Sequence, residues 1–162
     1  MSTILKTERL FLREMDRNDY DALYRVLADS TIMQHYPFTF DESRVRDWIR
    51  RNLNRYQENR FGLWAVCLKD TGEMIGDCGL TLQNINGEML PEIGYHIRRD
   101  CQRKGYAKEA AKAVRDWAFR NTDYPLFSSK LSGNQRGRFK KNSGQSDMVG
   151  HSFRKECLCR NR

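Results

Sequence analysis

The stretch Glu92-Ile93-Gly94-Tyr95-His96-Ile97, followed closely by Gln102-Arg103-Lys104-Gly105-Tyr106-Ala107, decides how this chain folds. The first part predicts a short strand, and the second predicts a tight basic loop that opens into an Ala-rich amphipathic helix over 105–119. Such a helix start directs unpaired backbone N–H groups and the positive end of the helix dipole toward one point. Gly105 and Ala107 leave the backbone bare, and Arg103 and Lys104 add positive charge. The stretch therefore predicts a site for a phosphate or pyrophosphate group.

The presence of Gly105 in this loop has two other interpretations. A Walker-type phosphate loop would need Lys and Ser or Thr where Tyr106 and Ala107 stand, so the sequence disfavours it. A glycine that serves only to start the helix remains an open alternative.

The whole chain has the size and composition of one intracellular domain. Its 162 residues suffice for a single core, and no run of 18 or more apolar residues occurs. The first six residues lack the pattern of a signal peptide, so we expect a cytoplasmic protein without membrane contact. Its five scattered cysteines argue against a disulfide framework. His151, Cys157 and Cys159 are too few for a four-ligand metal site, so we expect no metal.

The net charge of +8 is concentrated at one end of the chain. Residues 1–128 hold 20 basic and 19 acidic side chains, whereas residues 129–162 hold 9 basic and 2 acidic ones. The basic segment has no repeated aromatic residues and no recognisable nucleic-acid-binding module. We therefore expect a solvated tail, and a protein that binds nucleic acid through this tail is the less favoured alternative.

Working outward from the loop, period and turn signals predict an α+β domain. The helix pattern after Asp16 and Asp19 extends to Leu27, and a second helix is predicted from about Asp41. The predicted strands cover 8–14, 61–68, 74–82 and 91–97, with Asn86-Gly87 as a hairpin turn before the last one. A further strand at 124–128 would lie parallel to the strand that ends at Ile97. Together, these predicted elements form a mixed, mainly antiparallel sheet flanked by helices.

Three segments in this order resemble the GNAT-type acyl-CoA N-acyltransferases. They are Thr7-Glu8-Arg9-Leu10-Phe11-Leu12-Arg13, the strand Glu92-Ile93-Gly94-Tyr95 and the loop Gln102-Arg103-Lys104-Gly105-Tyr106-Ala107. The resemblance covers about residues 5–128 and is greatest to the branch that contains the ribosomal-protein N-terminal acetyltransferases. It implies an acetyl-CoA-dependent N-acetyltransferase whose acceptor is a primary amine, either a protein N-terminus or a small molecule.

The resemblance also implies where acetyl-CoA binds. The pyrophosphate would be held by the loop Gln102, Arg103, Lys104, Gly105, Tyr106 and Ala107, mainly through N–H groups from Arg103 onward. The pantetheine arm would pair with the backbone of Tyr95, His96 and Ile97, where the family's strands separate. The side chain of His96 is expected to be structural. No metal is implied, and the oligomeric state stays open, with a homodimer as one alternative.

An amine must lose a proton before it attacks a thioester, and a nearby carboxylate can take that proton. Glu92 lies where the family often keeps such an acid, so it is the candidate base. The alternatives are a strand-end charge or a group that binds the acceptor. A backbone N–H near His96 or Ile97 would polarise the thioester carbonyl. Tyr36, Trp64 and the loop 31–40 are expected to wall the acceptor pocket.

The chain departs from the family's pattern after Ser128. Residues 129–145 show neither strand nor helix period, and no tyrosine follows Tyr124 to protonate the leaving thiolate. We therefore divide the chain into a GNAT-like acetyl-CoA-binding domain at 1–128 and an atypical basic segment at 129–162, disordered or produced by a frameshift. Under this hypothesis the C-terminal strands are incomplete and activity is impaired. A degenerate acyl-CoA-binding protein or incomplete gene product is the alternative function, and sequencing the gene would test the frameshift.

Overall fold

A computed structural model describes residues 2–124 and the backbone of strands at 126–130, 136–140 and 148–149. Eight strands form one sheet in which spatial order follows chain order. The helices are α1 (Tyr20–Leu27), α2 (Glu42–Asn59) and α3 (Tyr106–Asn121). The strands are β1 (Thr3–Lys6), β2 (Leu10–Arg13), β3 (Leu63–Leu68), β4 (Met74–Ile85), β5 (Glu88–Ile97), β6 (Leu126–Lys130), β7 (Arg136–Lys140) and β8 (Met148–Val149). The predicted α+β fold with a mixed, mainly antiparallel sheet is confirmed.

The hairpin of β4 and β5 forms the centre of the sheet. Its turn is Asn86-Gly87, and both residues have positive φ, 55° and 86°, as a two-residue type I′ turn requires. The turn sets the register of the whole hairpin, and Asp77 therefore lies directly opposite His96.

The helices cover both faces of the sheet. On one face, α3 packs its buried alanines and Val114 against β-strand residues that include Ile93 and Ile97. On the other face, α1 and α2 pack over Ala65 and Cys67 of β3. The predicted helix starts are confirmed, because an Asp16 capping box precedes α1 through a short 3-10 turn and the Asp41 carboxylate caps α2.

β5 and β6 pair over only a short length. They are parallel, as predicted, and their paired residues are Glu92 with Ser128 and Ile93 with Ser129. β5 then continues to Ile97, where its register is with β4. In the part of the chain that the structure describes, β5 and β6 therefore separate after Ile93. This separation positions the candidate site.

The C-terminal strands qualify one sequence expectation. The sequence of residues 129–145 shows neither strand nor helix period, yet the structure has β7 in this segment, paired antiparallel with β6. An added edge strand is held by backbone hydrogen bonds, which any non-proline residue can make. Such a strand can therefore form without a period of apolar side chains that would predict it. Apart from β7 and the backbone of residues 129–130 and 148–149, the segment 129–162 lies outside the described residues, and with it His151, Cys157 and Cys159; the proposed disorder or frameshift stays a prediction.

Among the described helices, none is both long and apolar enough to span a bilayer.

Candidate active site

The loop before α3 has the geometry of an anion-binding nest. Arg103 and Gly105 both have positive φ, 60° and 83°, and Gly105 is the N-cap residue of α3 without any side-chain cap. Within the described residues, the backbone N–H groups from Arg103 to Ala107 have no protein acceptor, as the first turn of a helix leaves them. The side chains of Arg103 and Lys104 are exposed beside these groups. The loop therefore presents several N–H donors and two positive charges to solvent.

The turn between β1 and β2 fixes this loop in place. Arg9 donates to the backbone oxygen of Lys104 at 2.8 Å and pairs with Glu109 of α3 at 2.7 Å. Thr7 Oγ1 also donates to Glu109, at 2.6 Å, and the Arg9 guanidinium lies 4.5 Å from the centre of the Tyr106 ring. The N-terminal Thr-x-Arg motif thus acts as a clamp on the start of α3.

Glu109 stays ionised because of these contacts. Burial alone would raise the pKa of its carboxyl group, but the hydrogen bonds from Thr7 and Arg9 outweigh burial and lower the pKa. The negative charge lies in the first turn of α3, where the helix dipole also favours it.

Backbone direction alternates along the open end of β5. The N–H of Arg98 donates to Ile75 of β4 at 2.8 Å, so the backbone of His96, two residues earlier, also faces β4. The backbone N–H and C=O groups of Tyr95 and Ile97 point to the opposite side, toward the gap between β5 and β6 where the two strands separate. There the Gln102 side chain donates to the Ile97 carbonyl oxygen at 2.9 Å. Gln102 thus braces the loop against β5, and its amide is directed at β5 rather than at the N–H nest.

A cavity of about 260 Å³ lies beside the separation of β5 and β6. Glu92, Gly94 and His96 form one wall, because alternate residues of β5 point to the same face. Tyr36, from the segment between α1 and α2, lies on another side. Gly94 has no side chain, and a Cβ atom built there would lie in ordinary contact with Leu63 Cδ2, at 3.6 Å.

Asp77 and His96 form a hydrogen-bonded pair at this cavity. Asp77 is fully buried, and its carboxylate accepts from Trp48 Nε1 at 2.9 Å and lies 2.7 Å from His96 Nδ1. A carboxylate only accepts hydrogen bonds, so in the neutral form of the imidazole this contact assigns the proton to Nδ1 and leaves Nε2 as the acceptor nitrogen. Nε2 lies 3.4 Å from the hydroxyl oxygen of Tyr36. The arrangement orients an imidazole whose basic nitrogen lies on the cavity side.

Tyr36 and two arginines add to the polar lining of the cavity. Burial raises the pKa of the Tyr36 hydroxyl to about 12, and the nearby charges of Asp77 and Glu92 add to the rise. The phenol is therefore protonated at neutral pH and can donate a hydrogen bond. Arg51 and Arg55 of α2 also line the cavity.

Of the residues predicted to surround the acceptor, two lie at the cavity and one does not. Glu92 and Tyr36 do lie at the cavity, and Glu92 is buried. Trp64 does not, because it is the neighbour of cavity-lining Leu63 in β3 and points to the other face, where its ring packs 4.8 Å from Trp117. The prediction for Trp64 is wrong, since adjacent strand residues face opposite ways.

Sequence reasoning also missed residues that the site contains. From the sequence alone no role is assigned to Asp77, although a lone acid inside the apolar strand 74–82 is a usable signal, and the arginines of α2 are interpreted as a solvated face rather than a ligand site. Among the residues that the structure describes, no group of three or more His, Cys, Asp or Glu side chains is arranged to hold a metal.

The chain is similar to known acetyltransferases over most of its length. A sequence profile of the acetyltransferase (GNAT) domain matches residues 9–138. The uncharacterized protein YkkB of Bacillus subtilis is 36% identical over 125 residues, which are 75% of this chain and 72% of YkkB. The uncharacterized N-acetyltransferase p20 of Bacillus licheniformis is 33% identical over 131 residues, or 78% of this chain and 72% of p20.

A solved structure shows the same fold. It is RimL, a ribosomal L7/L12 alpha-N-protein acetyltransferase in complex with coenzyme A, with a TM-score of 0.65 and 19% identity. The match covers 83% of this chain and 77% of RimL. The resemblance noted in the sequence is thus confirmed by profile, relatives and fold, and the chain belongs to the GNAT acetyltransferase family.

Proposed function

We propose that this protein transfers an acetyl group from acetyl-CoA to a primary amine. The observation that carries the proposal is that three features of the site lie along the single strand β5. Its open edge lies beyond the last pair with β6, the N–H nest follows it, and the cavity with His96 lies on its face. An acyl donor held at the nest and along this edge would bring its thioester to the cavity.

The nest is suited to the pyrophosphate of acetyl-CoA. The N–H groups from Arg103 to Ala107 and the side chains of Arg103 and Lys104 supply donors and positive charge. Tyr95 and Ile97 would pair with the amide groups of the pantetheine arm. Since Gln102 occupies the Ile97 carbonyl, we expect its role to be support of the loop. RimL, whose fold is similar, is described in complex with coenzyme A, and this supports the assignment.

We assign proton removal to His96. In the reaction the amine nitrogen forms a bond to the acetyl carbon, the bond from that carbon to sulfur breaks, and the amine loses one proton. Nε2 of His96 would take this proton while Asp77 holds the ring through Nδ1. The thiolate that leaves needs a proton in turn, and we assign its donation to the protonated hydroxyl of Tyr36, which lies 3.4 Å from Nε2.

Glu92 remains the other candidate for the base. It lines the same cavity two residues before Gly94, and its carboxylate can hold the ammonium form of the acceptor. The variants H96Q and E92Q separate the two roles when kcat and KM are measured against pH. A base gives a large loss in kcat with little change in KM, whereas a binding group mainly raises KM for the amine.

Release of free thiol from acetyl-CoA in the presence of an amine panel tests the proposed function. Amine-dependent release supports it, and acetyl-CoA binding without transfer to any amine contradicts it. The latter result would instead favour the degenerate acyl-CoA-binding protein expected from the atypical segment 129–162. The panel includes peptide N-termini as well as small amines, because RimL acts on a protein N-terminus. We place the reaction in the cytoplasm.

A further inference from the structure

Two arginines of α2 stand apart from the other charged residues of that helix. Arg51 and Arg55 are one helical turn apart, and both line the cavity. Among the described residues, neither forms an ion pair with a carboxylate. By contrast, Arg46 pairs with Glu42 and Arg50 pairs with Asp47 on the same helix. Among the described residues Arg44 of α2 also has no ion pair and lies over the Phe38 ring, so Arg51 and Arg55 are the unpaired arginines of this helix that line the cavity.

The two like charges lower the stability of the helix slightly, and a bound anion would offset this. Like charges at positions i and i+4 of a helix repel each other. Arg55 is half-buried, and burial followed by the charge of Arg51 lowers the pKa of its guanidinium. A bound anion would relieve both effects, because it would pair with the two positive charges that line the cavity.

Both arginines are held in place by neighbours. Arg55 donates to Asn52 Oδ1 at 3.2 Å, and the same oxygen accepts from the backbone N–H of Leu63 at 3.0 Å. The Arg51 guanidinium lies 5.6 Å from the centre of the Trp48 ring. Two guanidinium groups on a braced helix form a preorganised site for a planar or tetrahedral anion.

The cavity therefore carries opposite charges on different walls. Glu92 and the His96–Asp77 pair lie on the sheet, where the amine would react, and Arg51 and Arg55 lie on the helix. We propose that the acceptor is a small amine that also carries a carboxylate or a phosphate group, and that the two arginines bind this group. The proposal rests on the acetyl transfer proposed above. The volume of about 260 Å³ lies just below the roughly 300–1,000 Å³ of typical ligand pockets, which fits an acceptor of few atoms.

The test compares acceptors in pairs that differ only in the anion. Amino acids are measured beside their amides, for example leucine beside leucinamide, and phosphoethanolamine is measured beside ethanolamine. A short peptide with neutral side chains and a blocked C-terminus supplies an N-terminus without a nearby anion. We expect at least one anionic amine to exceed its neutral partner about tenfold or more in kcat/KM. The carboxylate and phosphate pairs show which anion is preferred.

Variants of the arginines then locate the binding group. R51Q and R55Q are each expected to lower kcat/KM for the preferred anionic amine by about 10- to 100-fold and to bring its ratio to the neutral partner toward one. R55K retains the charge and should recover part of the loss. R50Q removes an exposed arginine of the same helix and serves as the matched control, with an unchanged ratio.

The outcomes separate this inference from the proposed function. Equal or faster acetylation of the neutral amines, or of the peptide N-terminus, would overturn the inference and leave acetyl transfer standing. An unchanged ratio in both R51Q and R55Q would also overturn it. Binding of acetyl-CoA without transfer to any amine would overturn the proposed function, and the inference with it.

Discussion

Replacing Asp77 by Asn tests whether the buried carboxylate orients a catalytic histidine. Asp77 is fully buried and accepts hydrogen bonds from Trp48 Nε1 at 2.9 Å and from His96 Nδ1 at 2.7 Å. Asn has one acceptor oxygen, so it can satisfy only one of these donors. Its NH₂ group would then face either the indole N–H or the imidazole, and facing the imidazole it favours the tautomer with the proton on Nε2.

The contacts of Asp77 give the expected size of the loss in stability and of the loss in activity. A hydrogen bond to a charged group contributes about 1.5–3 kcal/mol, so D77N should lower the free energy of unfolding by about 2 kcal/mol. For a domain of this length, that corresponds to a fall in Tm of about 4–8 °C. Loss of a correctly protonated base should lower kcat by about 10²- to 10⁴-fold. The affinity for acetyl-CoA should stay within about twofold, since the nest is a separate part of the site.

The assay measures kcat and KM well below the Tm of the variant, with acetyl-CoA affinity from calorimetry. D47N, which alters an exposed acid of α2, is the matched control and should leave kcat unchanged. The double variant D77N/H96Q should lose no more activity than H96Q alone, because Asp77 acts through His96. A kcat for D77N within threefold of the parent, or additive losses in the double variant, would refute the reasoning.

Three further changes probe the loop and the cavity. G105A forces a side chain into positive φ, at a cost of about 1–2 kcal/mol, and should weaken acetyl-CoA binding measured by calorimetry. G72A carries the same strain in a distant turn and should leave the affinity unchanged. Equal acetyl-CoA affinities of G105A and G72A would contradict the prediction. E109Q should destabilise the fold at neutral pH. Because the pKa of Glu109 is lowered in the folded state, its contribution is present above the ordinary pKa and is lost as pH falls through the lowered value, so denaturant titrations of parent and variant should converge in acid. Y36F should reduce kcat without moving the alkaline limb of the pH–rate profile below about pH 11, since Tyr36 titrates near 12; a shifted limb would contradict this.

Local signals were sufficient to predict the centre of the fold. The Asn86-Gly87 turn determines the β4–β5 register through its two positive φ values, and the register alone places Asp77 opposite His96. Gly105 at the start of α3 similarly marks the nest. These features depend on residues close together in sequence, which is why period and turn chemistry predict them.

The remaining features depend on contacts between distant segments. Trp48 and Arg55 of α2 reach the site only after the helix packs on the sheet, and the sequence shows merely an amphipathic helix with many arginines. β1 and β7 were not predicted, because each is an added strand held by its pairing with a neighbour. Such tertiary contacts override weak local preferences.

Calorimetric titration with acetyl-CoA tests the central claim most directly. The account predicts saturable binding with one site per chain. It further predicts much weaker binding of S-acetylpantetheine, which carries the thioester but lacks the pyrophosphate that the Gly105 nest would hold. Absence of acetyl-CoA binding, or equal affinities for the two compounds, would contradict the assignment of the nest.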